Sequence, residues 1–146
     1  MTPQTIGLII GGLLPALLFG VGNVLIKSSL SAHISIGFLL LFTTAGYLLT
    51  SLIALAIFSD HAVTLKSGGI ALISGFILSI GTLCITIAIN HYATPMSQLV
   101  PLYNMNTLIS VLLALWLFAE WQHVRVPQLL IGSVLIVIGG TLVAKA

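Results

Sequence analysis

Long apolar stretches, separated by short polar links, divide the chain into five segments of helical length. The predicted helices cover residues 5–27, 34–58, 68–90, 95–119 and 127–145. Each is long enough to cross a hydrocarbon core of ~30 Å, because an α-helix rises about 1.5 Å per residue. The runs are far longer than the roughly ten-residue alternating strands of membrane barrels. The pattern therefore predicts an all-α membrane protein, with residues 1–146 forming a single domain of five transmembrane helices.

Composition supports a membrane protein and argues against other classes. Hydrophobic residues make up 59% of the chain and charged residues 4%, whereas soluble domains carry about 25% charged residues. The net charge of +2 is too small to indicate a nucleic-acid partner. The N-terminus, MTPQTIGLII, has no basic region, so we expect no cleaved signal peptide.

No chemistry-bearing motif points to catalysis. The sequence contains no GxSxG, HExxH or phosphate-binding loop, and it offers no buried pair of acids for acid–base work. The four histidines fall at predicted helix ends without metal-ligand spacing. The single cysteine, Cys84, lies inside an apolar run and indicates no disulfide framework. We therefore expect neither enzymatic activity nor a cofactor nor a metal site.

The fourth predicted helix carries the most informative polar positions. Pro101 lies in its second turn and frees a backbone carbonyl, and Tyr103, Asn104 and Asn106 follow inside an otherwise apolar run. Polar groups at such a position need a protein partner or water. We predict that these three side chains contact a substrate, with a hydrogen-bonded core as the alternative.

A stripe of small and polar residues marks one face of the third predicted helix. Its members are Gly75, Ser79, Thr82, Thr86 and Asn90, at helical spacing. Such residues are typical of close helix packing, and they also suit a hydrated path. We expect packing at Gly75 and Ser79 and substrate contact at Thr86 and Asn90.

The first predicted helix ends with polar residues, since Asn23 lies one turn before Lys27. Asn23 is a further candidate for substrate contact, and a hydrogen bond to a neighbouring helix is the alternative. Lys27 is expected to reach the membrane interface with its long side chain. Its other interpretation is contact with an anionic or zwitterionic substrate.

Two prolines and a pair of glycines are predicted to shape or gate the helices. Pro15 lies in the middle of the first helix and predicts a kink there, and Pro101 shapes the fourth. In the fifth helix, Gly139 and Gly140 suit close packing against a neighbour.

The basic residues do not orient the chain in the membrane. Lys66 and Arg125 fall on the side of the N-terminus, and Lys27 and Lys145 fall on the other side. The positive-inside rule counts such residues near the ends of spans, so this tie gives no preferred orientation. The tie is either chance among four charges or a sign that the chain inserts both ways and pairs antiparallel.

The C-terminal part of the chain resembles a known family. The segment LVPLYNMNTLISVLLALWLFAEW, followed by LLIGSVLIVIGGTLVAKA, is similar to the end of an EamA-type domain of the drug/metabolite transporter superfamily. The matching positions are Pro101, Glu120, Gly132 and the Gly139–Gly140 pair. The segment PALLFGVGNVLIKSS resembles the family's first helix, so the resemblance covers most of the chain.

This resemblance implies a half-size transporter. EamA-type transporters typically have ten helices in two five-helix halves of opposite orientation, and this chain corresponds to one half. It would be completed as an antiparallel homodimer, or by a separate homologous half of opposite orientation. The implied activity is alternating-access transport of a small polar or amphipathic metabolite or drug. The implied location is a cell membrane, with a bacterial inner membrane expected, and the lipid bilayer is the surrounding partner.

Two alternatives remain for the function. The alternatives are a flippase subunit for a lipid-linked sugar and a non-transporting membrane subunit that packs against a partner.

The four-helix small multidrug resistance proteins of the same superfamily carry an essential glutamate in their first helix. Here the first acid is Asp60, which argues against glutamate-based exchange of cations for protons.

Dual orientation can be tested by labelling a single cysteine. In a Cys84→Ala background, Ala146→Cys places the thiol at the C-terminus. If the chain inserts both ways, a membrane-impermeant maleimide labels part of this population in intact cells, and labelling rises on permeabilisation. Labelling confined to one side would exclude the antiparallel homodimer.

Overall fold

A computed structural model describes residues 3–59, 62–122 and 124–146, with the side chains of Gln4 and Glu120 excepted. The loop positions expected for Asp60, His61 and His123 lie outside the described residues. The described chain is helical and contains no strand.

Seven α-helices and two short irregular helices make up the described chain. They are α1 (Pro3–Leu8), a π-helical turn (Ile9–Leu13), α2 (Leu14–Ser31), α3 (Ile36–Ile57), α4 (Leu65–His91), α5 (Met96–Tyr103), α6 (Asn106–Leu117), a 3₁₀ turn (Glu120–Gln122) and α7 (Val126–Ala144).

These helices form five segments long and apolar enough to cross a membrane. The segments, here called spans 1 to 5, are Thr5–Ser31, Ile36–Ile57, Leu65–His91, Met96–Leu117 and Val126–Ala144. The described residues therefore confirm the all-α prediction and the five helices of membrane-spanning length, which indicate a multi-pass membrane protein. Large apolar side chains are exposed along all five spans, as expected of surfaces that lipid covers.

The chain divides into two compact units, Met1–Ala93 and Thr94–Ala146. In the first unit, α2 packs against α3 and α3 against α4. In the second unit, α5 and α6 both pack against α7, and the contact between α5 and α7 is the more extensive.

Span 3 begins three residues earlier than its apolar pattern predicts, because a capping box defines its first turn. The Thr64 side-chain oxygen accepts a hydrogen bond from the backbone N–H of Ser67 at 3.1 Å. In return, the Ser67 hydroxyl oxygen accepts one from the backbone N–H of Thr64 at 3.0 Å. This pair satisfies two donors that a helix start would otherwise leave free. Serine takes the place of the usual glutamate or glutamine, which obscures the signal in the sequence.

The irregularity predicted at Pro15 lies in the turn that precedes it. Pro15 has no N–H to donate to the Gly11 carbonyl, and its ring crowds that carbonyl in a regular α-helix. The chain forms a π-helical turn here, in which the Leu14 N–H donates to the Ile9 carbonyl, five residues back. Because the wider turn accommodates the proline, span 1 continues as a helix to Ser31.

In three links between spans, the second residue after the helix adopts the left-handed backbone region. These are His33 (φ 64°), Ala93 (φ 49°) and Ala119 (φ 51°). A residue in this conformation ends a helix, and glycine is the residue that usually adopts it. The chain therefore stops these helices at positions that carry no glycine signal.

A face of α7 with small residues packs closely against α5. Ser133 and Gly140 are buried on α7, and a Cβ atom added at Gly140 would collide with the carbonyl oxygen of Pro101. At Gly139 an added Cβ would meet no atom within 4 Å. Of the predicted glycine pair, therefore, Gly140 forms the close helix contact and Gly139 faces open space.

This difference predicts opposite effects of the same substitution at adjacent positions. Gly140→Ala should destabilise the protein by about 1–3 kcal/mol, because the new methyl group must push α5 and α7 apart. Gly139→Ala should be neutral or stabilising by up to about 1 kcal/mol, since alanine favours the helix. Unfolding by sodium dodecyl sulfate in mixed micelles measures both. Equal effects of the two variants would contradict the described contact.

Candidate functional site at an interruption in span 4

Span 4 is interrupted by a tight turn at Asn104 and Met105, where the sequence predicts one continuous helix. The Met105 N–H donates to the Leu102 carbonyl, three residues back, at 3.1 Å. In a regular α-helix it would pair with Pro101, four residues back. The Thr107 N–H likewise donates to the Asn104 carbonyl at 3.0 Å. We call this local 3₁₀ geometry the Asn104–Met105 turn.

Proline and glycine together account for this turn. Pro101 cannot donate to the Ser97 carbonyl, so the hydrogen-bond ladder of α5 is already incomplete one turn earlier. The Pro101 carbonyl in turn lies against Gly140 of α7, where the absence of a side chain permits close approach. Short contacts between a Cα–H group and a carbonyl oxygen are a recurring feature at such helix contacts. The turn is thus fixed by contacts within the second unit.

The Asn104–Met105 turn falls near the middle of span 4. The 8 residues of α5 and the 12 residues of α6 correspond to about 12 Å and 18 Å at 1.5 Å per residue. Since the hydrocarbon core is ~30 Å thick, a roughly perpendicular span 4 carries the turn near the bilayer centre.

Two asparagine side chains flank the turn, and the chain leaves both of them exposed. Asn104 and Asn106 are exposed, whereas Tyr103 is half-buried. Within the described part of the chain, the side-chain amides of Asn104 and Asn106 have no hydrogen-bond partner. Each amide carries two N–H donors and an acceptor oxygen. At this depth, lipid cannot satisfy such groups, so water, a solute or another protein segment must.

The predicted residues of the first unit differ in their exposure. Thr86 is fully buried, with 0% exposure, and its hydroxyl donates to the Thr82 carbonyl of its own helix at 2.8 Å. Asn90 is exposed near the end of α4, and Asn23 is half-buried in α2. Their contact with a substrate stays a prediction.

The packing expected at the start of the span 3 stripe is not formed within the described chain. Gly75 and Ser79 are both exposed, and an added Cβ at Gly75 would meet no atom within 4 Å. Neither residue therefore makes a close helix contact among the described residues.

An apolar cleft of about 240 Å³ lies between α2 and α3, and the sequence pattern does not predict it. It is lined by Leu25, Ile26, Ser29, Ile34, Leu39, Phe42 and Thr43. The Thr43 hydroxyl donates to the Leu39 carbonyl at 2.8 Å, so it offers no free donor to the cleft. None of the predicted substrate-binding residues lines it. The lining suits a hydrocarbon group rather than a polar solute.

Metal and thiol chemistry have no cluster to support them in the described residues. No group of three histidine, cysteine or acidic side chains comes together there. Cys84 is a free, exposed cysteine on α4. At the Asn104–Met105 turn, the protein can therefore bind a ligand through neutral hydrogen-bonding groups.

Comparison with known proteins adds no relative. No protein-family model, curated protein or solved structure matches the chain. The resemblance to EamA-type domains rests on the sequence segments quoted above.

Proposed function

We propose that this protein is a half-size membrane transporter whose substrate path passes the Asn104–Met105 turn. The observation that carries the proposal is the pair of amide side chains, Asn104 and Asn106, which have no hydrogen-bond partner among the described residues and lie near the middle of span 4. Polar side chains within a membrane are costly, and they commonly mark substrate or ion pathways. Helices interrupted near the bilayer midplane are a recurring feature of transporter sites.

Two irregular turns support a mechanism of alternating access. The π-helical turn Ile9–Leu13 in span 1 lies just before Pro15, and the Asn104–Met105 turn in span 4 lies just after Pro101. Irregular helical turns of this kind are frequent at functional sites and hinges. They provide positions at which a span can change direction while its remaining turns stay helical. In the proposed mechanism, they expose the path to one side of the membrane at a time.

An antiparallel homodimer would supply the second half of such a transporter. The equal division of basic residues between the two sides removes the usual bias toward one orientation. Two copies of opposite orientation form a closed, isologous pair, which needs no further subunit. The resemblance to EamA-type domains supports the same arrangement and a small polar or amphipathic metabolite or drug as substrate.

The exposed amides also favour a second function, that of a non-transporting subunit. Asparagine side chains hydrogen-bond across helix contacts in membranes. A partner helix that bonds Asn104 and Asn106 would satisfy them without a water-filled path. This function predicts that replacing an amide weakens assembly, whereas the transport function predicts that it stops solute flux.

Replacement of Asn106 by leucine separates the two functions. In proteoliposomes given a panel of labelled sugars, polyols, amino acids and organic dyes, Asn106→Leu should reduce the flux of the transported solute about tenfold or more. Loss of a single hydrogen bond in a site of low polarity accounts for a change of this size. Chemical cross-linking measures assembly in the same vesicles and should be unchanged.

Thr44→Val is the matched control. Thr44 is an exposed threonine of span 2 whose hydroxyl donates to the Leu40 carbonyl of its own helix. Its replacement also removes a polar group from a span, and flux should be retained. Loss of cross-linking in Asn106→Leu, with no solute flux in the unmodified protein, would instead support the packing subunit.

A further inference from the structure

We infer that the transported solute carries no net charge and that its movement is not coupled to protons. This inference rests on the proposed function and defines the substrate class of the same site. It follows from the kinds of group that the Asn104–Met105 turn offers and from the positions of the charges in the five spans.

The polar groups beside the turn are neutral. The side-chain amides of Asn104 and Asn106 together provide four N–H donors and two acceptor oxygens. A molecule with several hydroxyl or amide groups can pair with the donors and the acceptors at once. A bare cation would use the oxygens alone and leave the N–H donors without acceptors, and an anion would do the reverse.

Charged side chains occur in the spans near their ends. Lys27 lies four residues before the end of α2, and Lys66 is the second residue of α4. Spans 2, 4 and 5 contain no charged residue. A charged solute at the middle of span 4 would therefore meet no opposite charge from that span, and moving a charge there is costly without one.

The same distribution leaves the path without a proton carrier. No aspartate or glutamate lies within any of the five spans. Intramembrane carboxylates and histidines are the groups through which pumps and transporters relay protons. The one histidine within the five spans, His91, is the last residue of span 3 and so lies at the end of its helix. Asparagine amides do not titrate, so the groups at the turn cannot exchange a proton for a solute. Net flux should then follow the solute gradient alone.

Purified protein in proteoliposomes tests the inference with probes of defined charge. The neutral probes are glucose and myo-inositol, the cation is choline, and the anion is glutamate. Flux is measured with and without a membrane potential and with and without a pH gradient. We expect a neutral probe to enter the vesicles, and we expect Asn106→Leu to abolish this uptake. The initial rate should change less than twofold under either gradient.

The variant Asn106→Asp gives an independent readout. It keeps the shape of the side chain and places a titratable carboxylate beside the turn. Flux of the neutral probe should become dependent on pH, while the unmodified protein shows no such dependence. A flux that depends on pH equally in both proteins would overturn the inference.

The outcomes distinguish this inference from the proposed function. A charged probe whose flux is driven by potential, and abolished by Asn106→Leu, would overturn neutrality and leave transport standing. A neutral flux that accumulates against its gradient when a pH gradient is imposed would overturn the absence of proton coupling. If no probe of any class enters in a manner that depends on Asn106, both the inference and the proposed transport fail.

Discussion

The close approach of the Pro101 carbonyl to Gly140 determines the geometry of the second unit. It brings α5 against α7 at a distance that no residue with a side chain would allow. Pro101 also removes a hydrogen bond from the helical ladder of α5, one turn before the Asn104–Met105 turn. In a membrane, the hydrophobic effect does not drive helices together, since lipid tails are as apolar as the helices. Close packing of this kind contributes to their association instead.

The chain's polar residues are consistent with a single physical constraint, the cost of an unsatisfied polar group in hydrocarbon. Several hydroxyl groups in the described spans meet it locally, as Thr43, Thr86 and Ser133 do by donating to carbonyls of their own helices. Asn104 and Asn106 differ, since an amide has more donors than such a bond can satisfy. Their need for an external partner connects the local structure to the proposed transport, in which water or solute provides that partner.

Periodicity and composition predicted the five spans because membrane thickness imposes both their length and their apolar character. Finer features were harder to predict, for identifiable reasons. The left-handed residues that follow spans 1, 3 and 4 are His33, Ala93 and Ala119 rather than glycine, and the start of span 3 uses serine in its capping box. Pro101 indicated a disturbed helix, but its carbonyl's contact with Gly140 joins residues far apart in the sequence. The stripe on span 3 could not reveal that Thr86 is buried while Gly75 and Ser79 are exposed.

Accessibility of the Asn104–Met105 turn to water tests the central claim most directly. In a Cys84→Ala background, single cysteines replace Asn106 and, as a control, Leu112, an exposed residue on another face of α6. Both proteins are reconstituted in liposomes and treated with a water-soluble maleimide. A polar path beside the turn predicts rapid labelling at position 106 and slow labelling at position 112. Equal, slow labelling at both positions would contradict it, because the amides would then face lipid or a dry protein contact.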